Sequence, residues 1–138
     1  MTRVFWDTNL FVYLLEGGPQ ADRVRELRTR MAERGDRLVT SSLTLGELLV
    51  KPVALSPDAA AAHERAVRQT AEVLPFDDRA ALAYARIRQD RSIKAPDAVQ
   101  LACAVAGEVD LFITNDDRLS RKVVPGVKFI VSLERAHL

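Results

Sequence analysis

Five short apolar runs are spaced along the chain, and polar residues follow each of them. They lie at residues 4–6, 38–40, 73–74, 111–113 and 129–131. Short apolar runs bounded by polar residues are typical of buried strands. The longer stretches between them have the residue pattern of helices, at 20–34, 43–50, 58–71, 78–89 and 96–106, with a short turn near 118–122. The pattern therefore predicts strands that alternate with helices.

This alternation predicts the α/β class, with a central, mainly parallel sheet flanked by helices. Parallel neighbouring strands need a crossover connection, which a helix supplies. Glycine and proline mark the expected helix ends: Gly17-Gly18-Pro19 follows a first short helix, Gly35 ends the next, and Lys51-Pro52 is expected to end the helix at 43–50. No linker or repeat divides the sequence, so a single domain over 1–138 is expected.

The composition is that of a globular protein and does not indicate a function. Hydrophobic residues make up 48% and charged residues 28%, which is ordinary globular usage. No apolar run approaches the length of a membrane span, so a soluble, cytoplasmic protein is expected. The net charge of +1 gives no argument for a nucleic-acid partner. His63 and His137 lie far apart without zinc-ligand spacing, and Cys103, the only cysteine, is interpreted as a core residue.

Acidic residues fall where the predicted strands end. Asp7 directly follows the first strand, and Asp116 follows the fourth. Glu47 lies on the helix after the second strand, with Ser42 as its expected N-cap, and Asp97 lies in the first turn of another helix. Ligands bind beyond the carboxyl ends of the strands of a parallel sheet. The four acids are therefore expected to converge at one end of the sheet.

Each of these acids also has an interpretation without function. Asp7 and Asp116 could simply cap helices, and Asp97 could simply complement a helix dipole. Glu47 is harder to explain in this way, because it lies on a mostly apolar helix where burial of an unpaired carboxylate is costly. Its alternative is an i,i+4 pair with Lys51, which contributes only about 0.2–0.5 kcal/mol.

Four converging carboxylates would repel one another unless cations are present. Oxygen ligands suit hard divalent ions, and Mg²⁺ or Mn²⁺ leaves room for water and a substrate phosphate. Such ions activate water and stabilise charge on a phosphorus under attack. The acids therefore indicate hydrolysis of a phosphodiester bond.

Four segments carry a resemblance to a known family. Residues 5–9, 41–48, 95–102 and 112–116 resemble, in order, the four motifs of PIN-domain ribonucleases, and the likeness is closest to the VapC-type toxins of type II toxin–antitoxin systems. The resemblance implies a PIN fold and a Mg²⁺- or Mn²⁺-dependent endoribonuclease. Its metal-binding and catalytic acids would be Asp7, Glu47, Asp97 and Asp116.

The resemblance also assigns supporting polar residues. Asn9 could fix the Asp7 loop and Thr114 could offer its hydroxyl to the site, although plain turn formation explains both equally well. Asp117 adjoins Asp116 and could replace it as the fourth acid. Asp116 is preferred.

RNA binding requires cations around the acids, and several flank Asp97 and Asp116 in the sequence. The expected phosphate contacts are Arg86, Arg88, Arg91, Lys94 and Arg118, with Arg121 and Lys122 nearby. Any one of them could instead belong to a solvated surface.

The implied partners are an RNA substrate, an antitoxin protein and a second copy of the chain. The antitoxin is expected to cover the acids with an apolar anchor and an Arg or Lys. Residues 14, 15, 48 and 49, all leucine, are possible dimer contacts, with core packing as the alternative.

Three alternative classes of protein fit the sequence less well. A haloacid-dehalogenase-like phosphatase requires a second Asp where this chain has Asn9. A receiver domain requires paired acids after the first strand and a Lys after the last, and neither pattern is clear. A PIN-like binding module without catalysis would be expected to lack one of the four acids.

Overall fold

A five-stranded parallel sheet forms the centre of the protein. The computed structural model describes residues 2–136. The strands are β1 (Arg3–Trp6), β2 (Arg37–Ser41), β3 (Glu72–Leu74), β4 (Leu111–Thr114) and β5 (Ile130–Ser132). Their order across the sheet is β3-β2-β1-β4-β5, and every described pair is parallel. The predicted strands and the α/β class are confirmed.

Helices connect these strands. They are α1 (Thr8–Glu16), α2 (Ala21–Arg34), α3 (Ser42–Leu55), α4 (Pro57–Thr70), α5 (Asp78–Ile87), α6 (Ala95–Ala106) and α7 (Asp117–Ser120), followed by a 3-10 turn at Leu133–Arg135. The strand order reverses at β1, because β2 and β3 are added on one side of β1 and β4 and β5 are added on the other. In sheets of this kind a ligand crevice opens beside such a reversal.

The core has two layers because β1 points alternate side chains to opposite faces of the sheet. Phe5 stacks on Phe112 with 4.8 Å between ring centroids and packs with the residues of α5 and α6. Trp6 packs against Phe11 of α1 in the second layer. Both faces of the sheet are therefore covered, as parallel sheets require.

Cys103 lies in the first of these layers, where it is 1% exposed. Burial raises the pKa of its thiol to about 11. The interpretation of Cys103 as a small core residue is confirmed.

The helix that carries Glu47 differs from the prediction at both ends. Ser41, and not Ser42, is its N-cap, with its hydroxyl accepting from the Thr44 N–H over 3.3 Å. The helix also continues through Pro52 to Leu55. Pro52 lacks an N–H and costs one helical hydrogen bond. Its ring is buried and α3 packs along α4, so tertiary contacts offset that cost.

The Gly35 prediction is confirmed, because this residue ends α2 in the left-handed conformation with φ of 72°. Among the residues that the structure describes, no helix combines the length and apolar character needed to cross a bilayer.

Candidate active site

The four predicted acids line two neighbouring pockets beyond the carboxyl ends of the central strands, which together form the crevice of the site. Asp97, in the first turn of α6, lines a pocket together with Asp7 and Glu47. It also lines a neighbouring pocket with Asp116, which follows β4. Because β1 and β4 are hydrogen-bonded neighbours, Asp7 and Asp116 leave the sheet side by side. The structure thus brings the four acids together, with Asp97 common to both pockets.

Asp7 is a largely buried carboxylate that accepts hydrogen bonds from two donors. It caps α1, since Oδ1 accepts from the Asn9 N–H over 3.2 Å, and Oδ2 accepts from the Thr114 hydroxyl over 2.5 Å. Burial raises the pKa of Asp7 to about 6; the two hydrogen bonds oppose this shift and the nearby charge of Asp97 adds to it. Asp7 therefore caps a helix and also lines the pocket with Glu47 and Asp97.

Asp97 is half-buried and faces other acids. Burial raises its pKa above the ordinary value, and the charges of Asp116 and Glu47 raise it further. Lys94 and Arg118 oppose this shift. Asp97 therefore interacts electrostatically with an acid of each pocket, Asp116 in one and Glu47 in the other.

Asp116 caps α7 with one oxygen and leaves the other available. Its Oδ1 accepts from the Arg118 N–H over 2.9 Å and the Leu119 N–H over 3.2 Å. Within residues 2–136, no donor contacts its Oδ2. Asp116 therefore caps a helix and also lines the pocket that contains Asp97.

Glu47 is exposed, which corrects the expectation of a carboxylate at a buried position. Its Oε1 accepts from the Thr8 hydroxyl over 2.7 Å. Lys51 does not pair with it, because Lys51 forms an ion pair with Glu16 over 3.0 Å. On the same helix Leu45 is buried in the core, whereas Glu47 lines the pocket with Asp7 and Asp97.

The supporting residues occupy different positions relative to the acids. Thr114 is buried, and its hydroxyl donates to Asp7 while accepting from the Asp116 N–H over 3.0 Å, so it links two of the acids. Asn9 supports Asp7 through its backbone N–H, and it lines the crevice. Asp117 is exposed and lines a separate pocket with Gln20 and others, so Asp116 is the acid beside Asp97.

Comparison with known proteins decides the family. The family model described as PIN domain matches residues 4–124. The chain belongs to the PIN-domain family. A search of curated proteins returned no match.

Solved structures share the fold of this PIN domain. VapBC2 from Rickettsia felis, bound to a DNA fragment from its promoter, has a TM-score of 0.73 and 19% identity, covering 95% of this chain and 98% of the other. DNA-bound VapBC from Salmonella typhimurium has a TM-score of 0.72 and 24% identity, with coverage of 96% and 99%. VapBC-5 from Mycobacterium tuberculosis, a member of the VapBC family of toxin–antitoxin systems, has a TM-score of 0.60 and 26% identity, with coverage of 95% and 99%.

The basic residues of this PIN domain divide into two groups. Lys94 and Arg118 line the pocket that holds Asp97 and Asp116, and Lys122, which pairs with Asp90, lines it too. The other predicted cations are not among the residues that line either acidic pocket. Arg86 and Arg91 are exposed. Arg88 donates to the Ile93 carbonyl over 2.7 Å and thereby holds the turn before α6.

Sequence reasoning missed a buried polar cluster beneath Glu47. It consists of Ser41, Thr44 and Gln100, with Thr8 at its outer end. A signal for it existed, since Gln100 is a single polar residue within an apolar helical segment, three positions after Asp97. Such a residue needs hydrogen-bond partners in the core.

The donor set of this PIN domain fits a hard divalent cation. Elsewhere acids pair with cations, as Glu72 does with Arg3 over 2.9 Å. Across the described part of the chain, none of the four site acids forms a salt bridge. Also within that part, no three Asp, Glu, His or Cys side chains are arranged to hold one ion together. Mg²⁺ retains several waters and commonly uses one or two carboxylates, so the acids still suit it.

Proposed function

We propose that this PIN domain is a metal-dependent endoribonuclease that hydrolyses RNA phosphodiester bonds. The observation that carries the proposal is the convergence of four carboxylates, none paired with a cation in residues 2–136, at the carboxyl ends of the central strands. Asp7 and Asp97 would hold Mg²⁺ or Mn²⁺, with Glu47 and Asp116 on either side. When bound, such an ion supplies activated water and neutralises charge on the phosphate.

The side chains of this domain would orient the substrate and the acids. Lys94 and Arg118 border the acidic pocket, where they can bind phosphate oxygens on the strand beside the cleaved bond. Thr114 holds Asp7 and the Asp116 backbone in fixed relation. Phosphate contacts of this kind position RNA without reading its sequence.

Cleavage by the purified protein tests this proposal. We expect a labelled RNA to be cut in Mn²⁺ or Mg²⁺, with no cleavage in EDTA, and no turnover of a small phosphate monoester. A haloacid-dehalogenase-like phosphatase would give the opposite substrate preference, and Asn9 stands where that class needs its second acid. A catalytically inactive binding module would retain RNA or protein binding and cut neither substrate.

We further propose that the protein is the toxin of a VapBC-type pair and acts in the cytoplasm. Support comes from the fold shared with VapBC complexes over nearly the full length of both chains. Its antitoxin would cover the crevice, with an Arg or Lys of the partner replacing the ion among the acids. Co-expression with the product of the adjacent gene should give a stable complex with suppressed RNA cleavage. Active protein that is harmless to its host when expressed alone would contradict the toxin role.

A homodimer belongs to the same proposal, and the leucines predicted to contribute occupy different environments. Leu14 and Leu48 pack partly buried against the second core layer, which agrees with core packing for these two. Leu15 is 50% exposed. Leu49 is also partly buried, so Leu15 is the most exposed of the four predicted leucines. Sedimentation of the wild-type protein beside Leu15→Glu would test whether Leu15 contacts a second copy.

A further inference from the structure

We propose that Gln100 is a positioning residue for Glu47, and that it acts by setting the direction in which the hydroxyl hydrogens of Thr8 and Thr44 point. The inference rests on the proposed function, since it concerns the acids of the same site. Gln100 is 5% exposed, and its uncharged side chain lies at the edge of the pocket that contains Glu47 and Asp97.

The position of Gln100 joins three elements of the site. It lies on α6, one turn after Asp97. Its Nε2 donates to Thr44 Oγ1 of α3 over 2.8 Å and to Thr8 Oγ1 of α1 over 3.1 Å. Thr8 in turn donates to Glu47 over 2.7 Å. A continuous chain of hydrogen bonds therefore leads from the helix of Asp97 to Glu47.

The donors and acceptors in this chain form one consistent series. The Ser41 hydroxyl donates to Gln100 Oε1, and the opposite end of the amide, Nε2, faces the two threonines. Both hydrogens of Nε2 are then directed at hydroxyl oxygens. The Thr44 hydroxyl lies 3.1 Å from that of Thr8 and can donate to it. Thr8, which accepts from both neighbours, has Glu47 as the acceptor for its own hydrogen.

This arrangement matters because Glu47 is exposed on a helix surface. An exposed glutamate has several rotamers, and holding it in one of them costs side-chain entropy. Within the described chain, Thr8 is the hydrogen-bond partner of Glu47. With the amide of Gln100 removed, Thr8 could donate inward to Thr44 and release Glu47. Groups that orient metal-binding carboxylates commonly affect metal affinity by about 10- to 100-fold.

Calorimetric titration with Mn²⁺ tests the role directly, without a cleavage assay. We expect Thr8→Val and Gln100→Met to weaken Mn²⁺ binding roughly 10-fold. Thr8→Ser keeps the hydroxyl and should recover most of that affinity. Thr40→Val is the matched control, because Thr40 is also buried and its hydroxyl donates to the Trp6 carbonyl over 2.9 Å, outside the chain that leads to Glu47. It should bind Mn²⁺ as the wild type does, whatever stability it loses.

A double-mutant cycle separates positioning of Glu47 from a general loss of structure. In a Glu47→Gln background, Gln100→Met should cause no further loss of Mn²⁺ affinity, because the group that it positions has gone. Should Gln100→Met fail to fold, Ser41→Ala takes its place in the cycle, because it removes the hydroxyl that donates to the Gln100 amide oxygen.

Two outcomes would overturn the inference, and they are distinguishable. The inference is wrong if Gln100→Met binds Mn²⁺ as tightly as the wild type does. It is also wrong if the losses of affinity in the double-mutant cycle add. In either case Gln100 only stabilises the fold. If the wild type binds no Mn²⁺ and cuts no RNA, the proposed function is wrong and the inference falls with it.

Discussion

Replacement of Asp7 by Asn should stabilise the metal-free protein at neutral pH. Burial raises the pKa of Asp7 to about 6, against about 3.9 for an unfolded Asp. The folded state therefore binds the proton of the Asp7 carboxyl group more tightly than the unfolded state does. Protonated Asp7 contributes stability that is fully present below pH 4, and this stability is lost as pH rises through 6. A shift of about two units corresponds to about 3 kcal/mol, at about 1.36 kcal/mol per unit.

The substitution isolates this charge from the other roles of the side chain. Asn is as good an N-cap as Asp, so its oxygen can keep the bond from the Asn9 N–H. Its amide can donate to Thr114, which now accepts. The matched control is Asp77→Asn, because Asp77 also caps a helix, accepting from the Ala80 N–H over 3.0 Å, and is exposed.

Urea unfolding between pH 4 and pH 8 in EDTA provides the measurement. Relative to wild type, Asp7→Asn should gain up to about 3 kcal/mol between pH 4 and pH 7, while Asp77→Asn should show no comparable gain. Mn²⁺ should then stabilise the wild type in proportion to its binding and leave Asp7→Asn unchanged. Parallel pH profiles for wild type and Asp7→Asn would refute the claim that Asp7 is a destabilised carboxylate held for a ligand.

Three further predictions concern the same crevice. Asp97→Asn should abolish RNA cleavage and leave the metal-free melting temperature unchanged or higher, because one repelling charge is removed; wild-type cleavage would exclude Asp97 from the site. Lys94→Ala and Arg118→Ala should each weaken binding to any RNA and reduce the salt slope by about 0.7, whereas Arg65→Ala on α4 should not; an effect limited to one RNA sequence would instead indicate base contacts. Thr114→Val should lower both the stability and the Mn²⁺ affinity, because it removes the hydroxyl that bonds to Asp7 and to the Asp116 N–H. Calorimetry measures the affinity, and an unchanged value would mean that Thr114 only stabilises the fold.

The fold could be predicted because local patterns determine it. Apolar runs bounded by polar residues located every strand of the sheet, and parallel pairing followed from the helices between them. The rule that ligands bind at the carboxyl ends of strands then placed Asp7 and Asp116 together.

Other features depended on tertiary contacts that no local pattern contains. Pro52 remains within a helix because α3 packs on α4, and Glu47 faces solvent because of how α3 is rotated about its axis. The partners of Gln100 come from elements up to 92 residues away in sequence. Local patterns could identify Gln100 as unusual but could not name these partners.

The central claim is that the acid cluster holds a divalent ion required for cutting RNA. The most direct measurement is the rate of cleavage of one end-labelled RNA against Mn²⁺ concentration, for wild type and Asp97→Asn side by side. The account predicts a saturable rise from zero in EDTA for the wild type and no cleavage at any concentration for the variant. Cleavage that persists in EDTA, or a variant that follows the wild-type curve, would contradict it.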